Sequence, residues 1–304
     1  MTNILQQINS SLKSDPKGFI AVCEKSYKEQ INRLADAILS DENNRILMIA
    51  GPSGSGKTTT AHVLKETLEK KGKKTQVISL DNFFKNLCDR DVLPDGSVDF
   101  ESVNALNIDE ITRSFNQLIT NGKSKLPEFD FLTAKSIPDK IELDISDGGL
   151  FIVEGIHALN PEITRHLPKE KLFKIYVSVT RPIVDDNGKT VLTGRKLRLI
   201  RRIIRDFKFR NKTINETLGL WSGVVEAENK HIRSFKKYAD FCVTTLHAYE
   251  PALYKKSFLE MIEAVTDDTP NSSYARAAAK GLESFAEIDE KLIPETSLIK
   301  EFIG

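Results

Sequence analysis

The sequence predicts an α/β protein: a mostly parallel sheet with helices on both faces, carrying a small basic helical lid. Three observations lead there. A short apolar run over residues 45–50 is followed by a glycine-rich turn and then by a helical stretch over 58–71. Further apolar runs at 76–80, 150–153, 173–179 and 240–245 are separated by segments of helical spacing, and strands that alternate with helices form parallel sheets covered on both sides. The stretch 195–210 sets arginines on one helical face and Leu197, Ile200, Ile203, Ile204 and Phe207 on the rest, as an amphipathic basic helix does.

Taken in order, residues 1–44 read as an N-terminal helical extension. Within it Ile20, Val22, Tyr27, Ile31, Leu34, Ala37 and Ile38 recur at helical spacing and predict a helix over 19–39. A main domain follows over 45–266. Its polar loop at 86–98 contains Pro94-Asp95-Gly96, and a helix is expected over 104–120. Residues 121–149 read as irregular, with strand-like alternation only over 140–145. The segment 193–238 is expected to be mostly helical, its basic start forming the lid at about 185–215. A helix over 251–265 closes the domain, and 267–304 is a tail with one helix ending near 292–294.

Bulk properties narrow the classes. The chain has 304 residues, enough for a sizeable core, and 44 Lys+Arg against 43 Asp+Glu leave a net charge of +1. That balance argues against nucleic acid as a partner, so any basic site is local. Cys23, Cys88 and Cys242 lie far apart without metal-ligand spacing and read as reduced structural thiols. Residues 1–16 lack the apolar stretch of a signal peptide, and no run approaches membrane-spanning length. The expectation is a soluble cytoplasmic protein with no membrane partner; homo-oligomers are allowed.

The chemistry starts at Gly51-Pro52-Ser53-Gly54-Ser55-Gly56-Lys57-Thr58, which meets the P-loop pattern at every constrained position. Glycines let the backbone curl until several N–H groups face one phosphate, and the following helix adds its positive end. Lys57 reaches the outer phosphates and the Thr58 hydroxyl suits Mg²⁺, with Thr59 next in the same turn. The sheet is therefore of P-loop NTPase type. Asp81 ends the second strand, on the edge where ligands of parallel sheets bind. A carboxylate there can take a proton from an attacking hydroxyl, although a helix N-cap accounts for an aspartate equally well. Glu154, ending the strand 150–153, stands where P-loop proteins support Mg²⁺, and Gly155 lets backbone approach. His157 reads as a hydrogen-bonded structural residue. Arg198, Arg201 or Arg202, and Arg205 share a face that could neutralise charge on a transferred group; a solvated basic face is the plainer account.

Together these stretches resemble the uridine kinase/phosphoribulokinase family of P-loop kinases. The resemblance rests on residues 51–58, 80–84, 98–106, 127–131, 153–157 and 198–210, and extends over about 44–262. The variant around Glu154-Gly155-Ile156-His157-Ala158-Leu159-Asn160-Pro161 is similar to a bacterial nucleoside kinase-like branch. The resemblance implies an enzyme that uses Mg²⁺ and ATP to phosphorylate a small-molecule hydroxyl, the 5′-hydroxyl of a ribonucleoside foremost. It implies Asp81 as general base, Thr58 and Glu154 at the metal, Asp99 on the ribose hydroxyls, and Phe129 and Phe131 at the base. Arg198, Arg202, Arg205 and Arg210 would close on the phosphates, with Arg201 turned away. Phe84 stands where the family usually has a tyrosine, and Ala134 where uridine kinases usually carry a histidine; both changes remove a hydrogen-bonding group. Two rivals remain. A sugar-phosphate kinase would need more cations near Asp99 than Arg90 alone, and a non-catalytic nucleotide-binding regulator would not need Lys57, Thr58, Asp81 and Glu154 intact.

Overall fold

A computed structural model describes residues 2–91 and 101–304. Five parallel strands form the sheet, in spatial order β2-β5-β1-β6-β9. They are β1 (Ile46–Ala50), β2 (Thr75–Ser79), β5 (Leu150–Glu154), β6 (Leu172–Ser178) and β9 (Phe241–Thr244). β1 and β5 are buried at all five positions, as expected where both faces of a parallel sheet are covered. Alternation divides each strand between two cores. Leu47, Ile49, Leu150, Ile152, Ile175 and Val177 face one core, and Ile46, Met48, Phe151, Val153 and Tyr176 face the other.

The first core collects helices from across the chain: α1 (Leu5–Ser14), α2 (Pro16–Leu39), α3 (Lys57–Lys70) and several later ones. The second is covered by α4 (Ile108–Asn121), by the hairpin of β3 (Lys123–Asp130) and β4 (Lys135–Asp144), and by the short α5 (Pro161–Thr164). After the sheet turns at β6, a small hairpin of β7 (Ile183–Val184) and β8 (Thr190–Leu192) leads into α6 (Gly194–Arg210). Next come α7 (Ile214–Gly219), α8 (Trp221–Ala227), α9 (Glu250–Ile262), α10 (Pro270–Glu283) and α11 (Lys300–Ile303).

Three expectations change and one holds. The N-terminal extension holds two helices rather than one over 19–39. Leu5, Ile8 and Leu12 are the buried face of the first, and Asp15 starts the second by accepting the Gly18 N–H at 2.9 Å with Pro16 in the first turn. Residues 123–144 are a hairpin, not an irregular stretch. Pro127 cannot donate to the ladder and the register shifts between Leu126 and Glu128. The segment 193–238 is mostly helical as expected, in several pieces: Asn211 takes a left-handed φ of 50° at the end of α6, and a capping box between Thr213 and Glu216 starts α7. In the tail, α10 stops at Glu283 rather than near 292–294, and Ile293 and residues 297–303 then return to the first core.

The basic helix α6 is anchored. Leu197, Leu199, Ile200, Ile203 and Ile204 are buried in the first core, and its side chains are exposed only from Phe207 onward. Among the described residues no helix is long and apolar enough to cross a membrane.

Because Ile20, Ile31, Leu34 and Ile38 of α2 share a core with α3 and the strands, the N-terminal helices belong to the same cooperative unit. Leu34→Ala, at a fully buried site, is expected to cost about 2–5 kcal/mol and to lower one thermal transition as a whole. Two transitions, with only the smaller shifted, would contradict a shared core.

Candidate active site

The strand ends create the site. β1 runs into the P-loop, and its neighbour β5 delivers Glu154, which is level with Ile49 of β1 and Ser79 of β2. One strand further, a 3₁₀ turn over Leu80–Phe83 carries Asp81. The loop itself needs its glycines. Gly54 and Gly56 have φ of 73° and 80°, values that favour residues without a Cβ. At Gly51 a Cβ would lie 2.2 Å from the Val177 carbonyl oxygen.

The inner face of the loop gathers opposite charges. The Thr58 hydroxyl donates to Glu154 Oε2 at 3.3 Å. Glu154 is 6% exposed; burial raises its pKa, Lys57 lowers it and Asp81 raises it again. Asp81 opens to solvent along the cleft, yet the surrounding protein also raises its pKa, against the pull of Lys57 and then Arg210. A hydroxyl and a carboxylate side by side are hard oxygen donors that fit Mg²⁺ completed by phosphate oxygens and water. Among the described residues there is no group of three or more His, Cys, Asp or Glu side chains that could hold a metal ion.

The outer face is tied down by α6 and by the end of β9. Three successive loop carbonyls accept hydrogen bonds from behind: Ser53 from Arg198 at 3.0 Å, Gly54 from Arg201 at 3.1 Å and Ser55 from the Thr245 hydroxyl at 2.7 Å. Arg201, expected to turn away, is the most buried of the arginines. It is 0% exposed, holds Glu250 with two bonds of 2.7 and 2.8 Å, and reaches Thr245 as well. Burial opposes its charge, but Glu250 more than restores it and keeps it above the ordinary arginine value.

The remaining arginines divide differently from the expectation. Arg198 is buried between the loop and Glu228, whose carboxylate it meets at 2.6 Å; burial lowers its pKa and Glu228 offsets this. Arg202 donates to Ser53 Oγ at 2.9 Å. Arg202, Arg205 and Arg210 surround Asp206 at 3.5, 2.8 and 3.5 Å. Asp206 is 1% exposed and gathers the three cations at the cleft side of the helix. Of these, only Arg210 lies in the exposed last turn.

On the other side of Asp81, Phe84, Phe129 and Phe131 come together. Phe84 and Phe129 have ring centroids 5.6 Å apart, and Phe129 and Phe131 5.1 Å. The Arg90 guanidinium lies over Phe84 at 4.6 Å and over Phe129 at 4.9 Å. Phe131 is 66% exposed and available to a ligand. Ala134 occupies the hairpin turn at φ 53°. His157 meets the Glu101 carbonyl at 3.0 Å, in keeping with a structural histidine. Asp99 lies outside the described residues.

Sequence reasoning named Arg90 only as a cation near Asp99 and did not single out Glu250, Thr245, Asp206 or Glu228 as parts of this site. Glu250 and Arg201 are 49 positions apart, and only the sheet brings them together. The signal that existed was Glu250-Pro251, an acidic start to a helix just beyond a strand.

Two measurements follow from this electrostatics. Glu250→Ala strands the fully buried Arg201 charge and is expected to cost about 3–5 kcal/mol in denaturant unfolding, with Glu250→Gln in between; an effect below 1 kcal/mol would mean the pair is not closed. Asp81 and Glu154 hold their protons more tightly folded than unfolded, so stability falls as pH rises from the ordinary carboxylate range through their raised values. Above that window the Asp81 charge is a net cost. Asp81→Asn is expected to raise Tm at neutral pH, and a lowered Tm would contradict the raised pKa.

The chain is similar to known proteins over most of its length. The family model "Phosphoribulokinase / Uridine kinase family" matches residues 46–250. A uridine kinase from Lactobacillus helveticus is 28% identical over 199 residues, covering 65% of this chain and 85% of that one. A uridine kinase from Staphylococcus haemolyticus is 27% identical over 202 residues, covering 66% and 87%. Among solved structures, a possible uridine kinase from Bacillus stearothermophilus superposes with a TM-score of 0.47 at 20% identity, over 70% of this chain and 97% of that one. With the P-loop, the five parallel strands and the match over two thirds of its length, the chain belongs to the phosphoribulokinase/uridine kinase family.

Proposed function

We propose that this kinase transfers the terminal phosphoryl group of ATP to the 5′-hydroxyl of a ribonucleoside, with Asp81 as general base. The observation that carries the reading is the placement of Asp81 and Glu154 at adjacent strand ends, both within the field of Lys57. One carboxylate serves the acceptor and the other the metal.

The reaction forms a bond between the acceptor oxygen and the terminal phosphorus as the bond to the ADP oxygen breaks, and the hydroxyl proton passes to Asp81. Backbone N–H groups of 53–57 and the Lys57 side chain hold the phosphates. Thr58 and Glu154 would hold Mg²⁺, which when bound offsets phosphate charge. Arg202, Arg205 and Arg210, gathered by Asp206, supply positive charge as the phosphoryl group moves. Arg198 acts one step back, positioning the loop through Ser53. Phe84, Phe129, Phe131 and the stacked Arg90 plane offer flat faces suited to a base, and Asp99 is assigned to the ribose hydroxyls.

The test is ADP release with Mg²⁺-ATP against a panel of ribonucleosides, deoxynucleosides and sugar phosphates. A ribonucleoside is expected to stimulate it, and Asp81→Asn to reduce the stimulated rate by ~10²–10⁴-fold while ADP still binds. Stimulation by sugar phosphates alone would replace the acceptor assignment. Full turnover in the variant would remove Asp81 from the chemistry.

A further inference from the structure

The matched family region ends at residue 250, but segments on both sides of it reach into the P-loop helix. Two consecutive threonines in the first turn of α3 are each claimed by one of them. Thr60 Oγ1 is 2.9 Å from the Tyr27 hydroxyl of α2. Thr59 Oγ1 donates to Glu301 Oε2 of α11 at 2.5 Å. A carboxylate thus sits on the hydroxyl that follows the expected magnesium threonine.

The segment carrying Glu301 is not a loose strap. Leu298, Ile299 and Phe302 are completely buried and Ile303 is 5% exposed. Ser297 and Tyr249 both donate to Glu24 Oε1 at 2.6 Å. The Leu298 methyls lie against Gly56, where a Cβ would be 3.0 Å from each. The Arg201 guanidinium covers the Phe302 ring at 4.9 Å, and Lys208 donates to the Ile303 carbonyl at 2.8 Å. These four buried apolar side chains hold the segment to the core. The backbone stays. The Glu301 side chain, partly exposed, is the part that can turn.

The first turn of α3 presents N–H groups and a positive helix end, which attract an anion whether it is a carboxylate or a phosphate. We infer that Glu301 is a donor-site residue, a tethered competitor that holds Thr59 in the empty enzyme and must yield it to the phosphate chain of the nucleotide. Binding then exchanges one anion for another, and the apparent affinity is reduced by the fraction of molecules in which Glu301 occupies Thr59. The Glu301 charge is already among those that act on Arg210. The inference rests on the nucleotide reading of the P-loop.

The test is calorimetric titration of Mg²⁺-ADP into the wild-type chain, Glu301→Gln, Glu301→Ala, Thr59→Val and the Thr59→Val/Glu301→Gln double variant, with Tm of each empty protein alongside. Both Glu301 variants are expected to bind ADP about three- to tenfold more tightly. The gain is expected to vanish between Thr59→Val and the double variant, because the competition runs through that hydroxyl. A supporting role for Glu301 predicts the opposite sign, weaker ADP binding with a lowered Tm, and that result or an affinity unchanged within about twofold would overturn the inference while leaving the kinase reading intact. No ADP binding by any of the proteins would overturn both.

Discussion

The buried pair of Arg201 and Glu250 is the interaction on which the rest of the site depends. A P-loop must point its N–H groups inward, so its carbonyls point out and need partners of their own. Arg201 and Arg198 from α6 and Thr245 from the end of β9 supply three of them in succession. A guanidinium completely removed from water is tolerable only when its charge and its donors are met. Glu250, at the start of α9, meets the charge with two bonds and also accepts the His247 N–H at 2.9 Å. The phosphate cradle is therefore set from behind by helices whose sequence positions lie far from it.

This backing explains why the arginines of one helix do different work. Burial rises toward the middle of α6, where Leu197, Ile200, Ile203 and Ile204 anchor it. Arg198 and Arg201 share that buried depth and spend their donors on the loop and on carboxylates. Arg202 and Arg205 are less buried and Arg210 is more than half exposed. Asp206 holds this group of three near the cleft without neutralising all of it. The helix is at once a structural wedge and a source of positive charge, and the division follows from depth rather than from residue type.

How much of this could be read in the sequence depended on whether each feature was local. β1, β5 and β6 were legible because their apolar runs are continuous, and the P-loop was legible because phosphate binding constrains neighbouring residues. Asp81 and Glu154 followed from the rule that parallel strands end at the ligand side. The hairpin β3–β4 was legible only at 140–145: Pro127 interrupts its ladder and most of β4 is exposed, so the rest shows no clean alternation. Helix α1 was missed although Leu5, Ile8 and Leu12 keep helical spacing, because the ten-residue stretch is otherwise polar. The partners of Arg201 were beyond reach because the pairing exists only once α6 lies across the ends of β6 and β9.

The same distinction bears on the segments outside residues 46–250. By composition they look like ordinary amphipathic additions, and an anchoring role would account for Leu5, Ile8, Leu298 and Phe302. It does not account for the polar groups. Glu24, Tyr249 and Ser297 form a buried triangle joining α2, the turn after β9 and the returning tail. Buried polar groups cost stability unless fully paired, and an apolar contact would join these elements more simply. What the polar triangle adds is direction: Ser297 also accepts the Ile299 N–H at 3.1 Å, which fixes how the tail turns into α11. That turn places Glu301 on Thr59 and Leu298 against Gly56, while Tyr27 reaches Thr60 from the opposite end of the chain. Both additions thus end on the first turn of the P-loop helix, beside the loop that receives the phosphates.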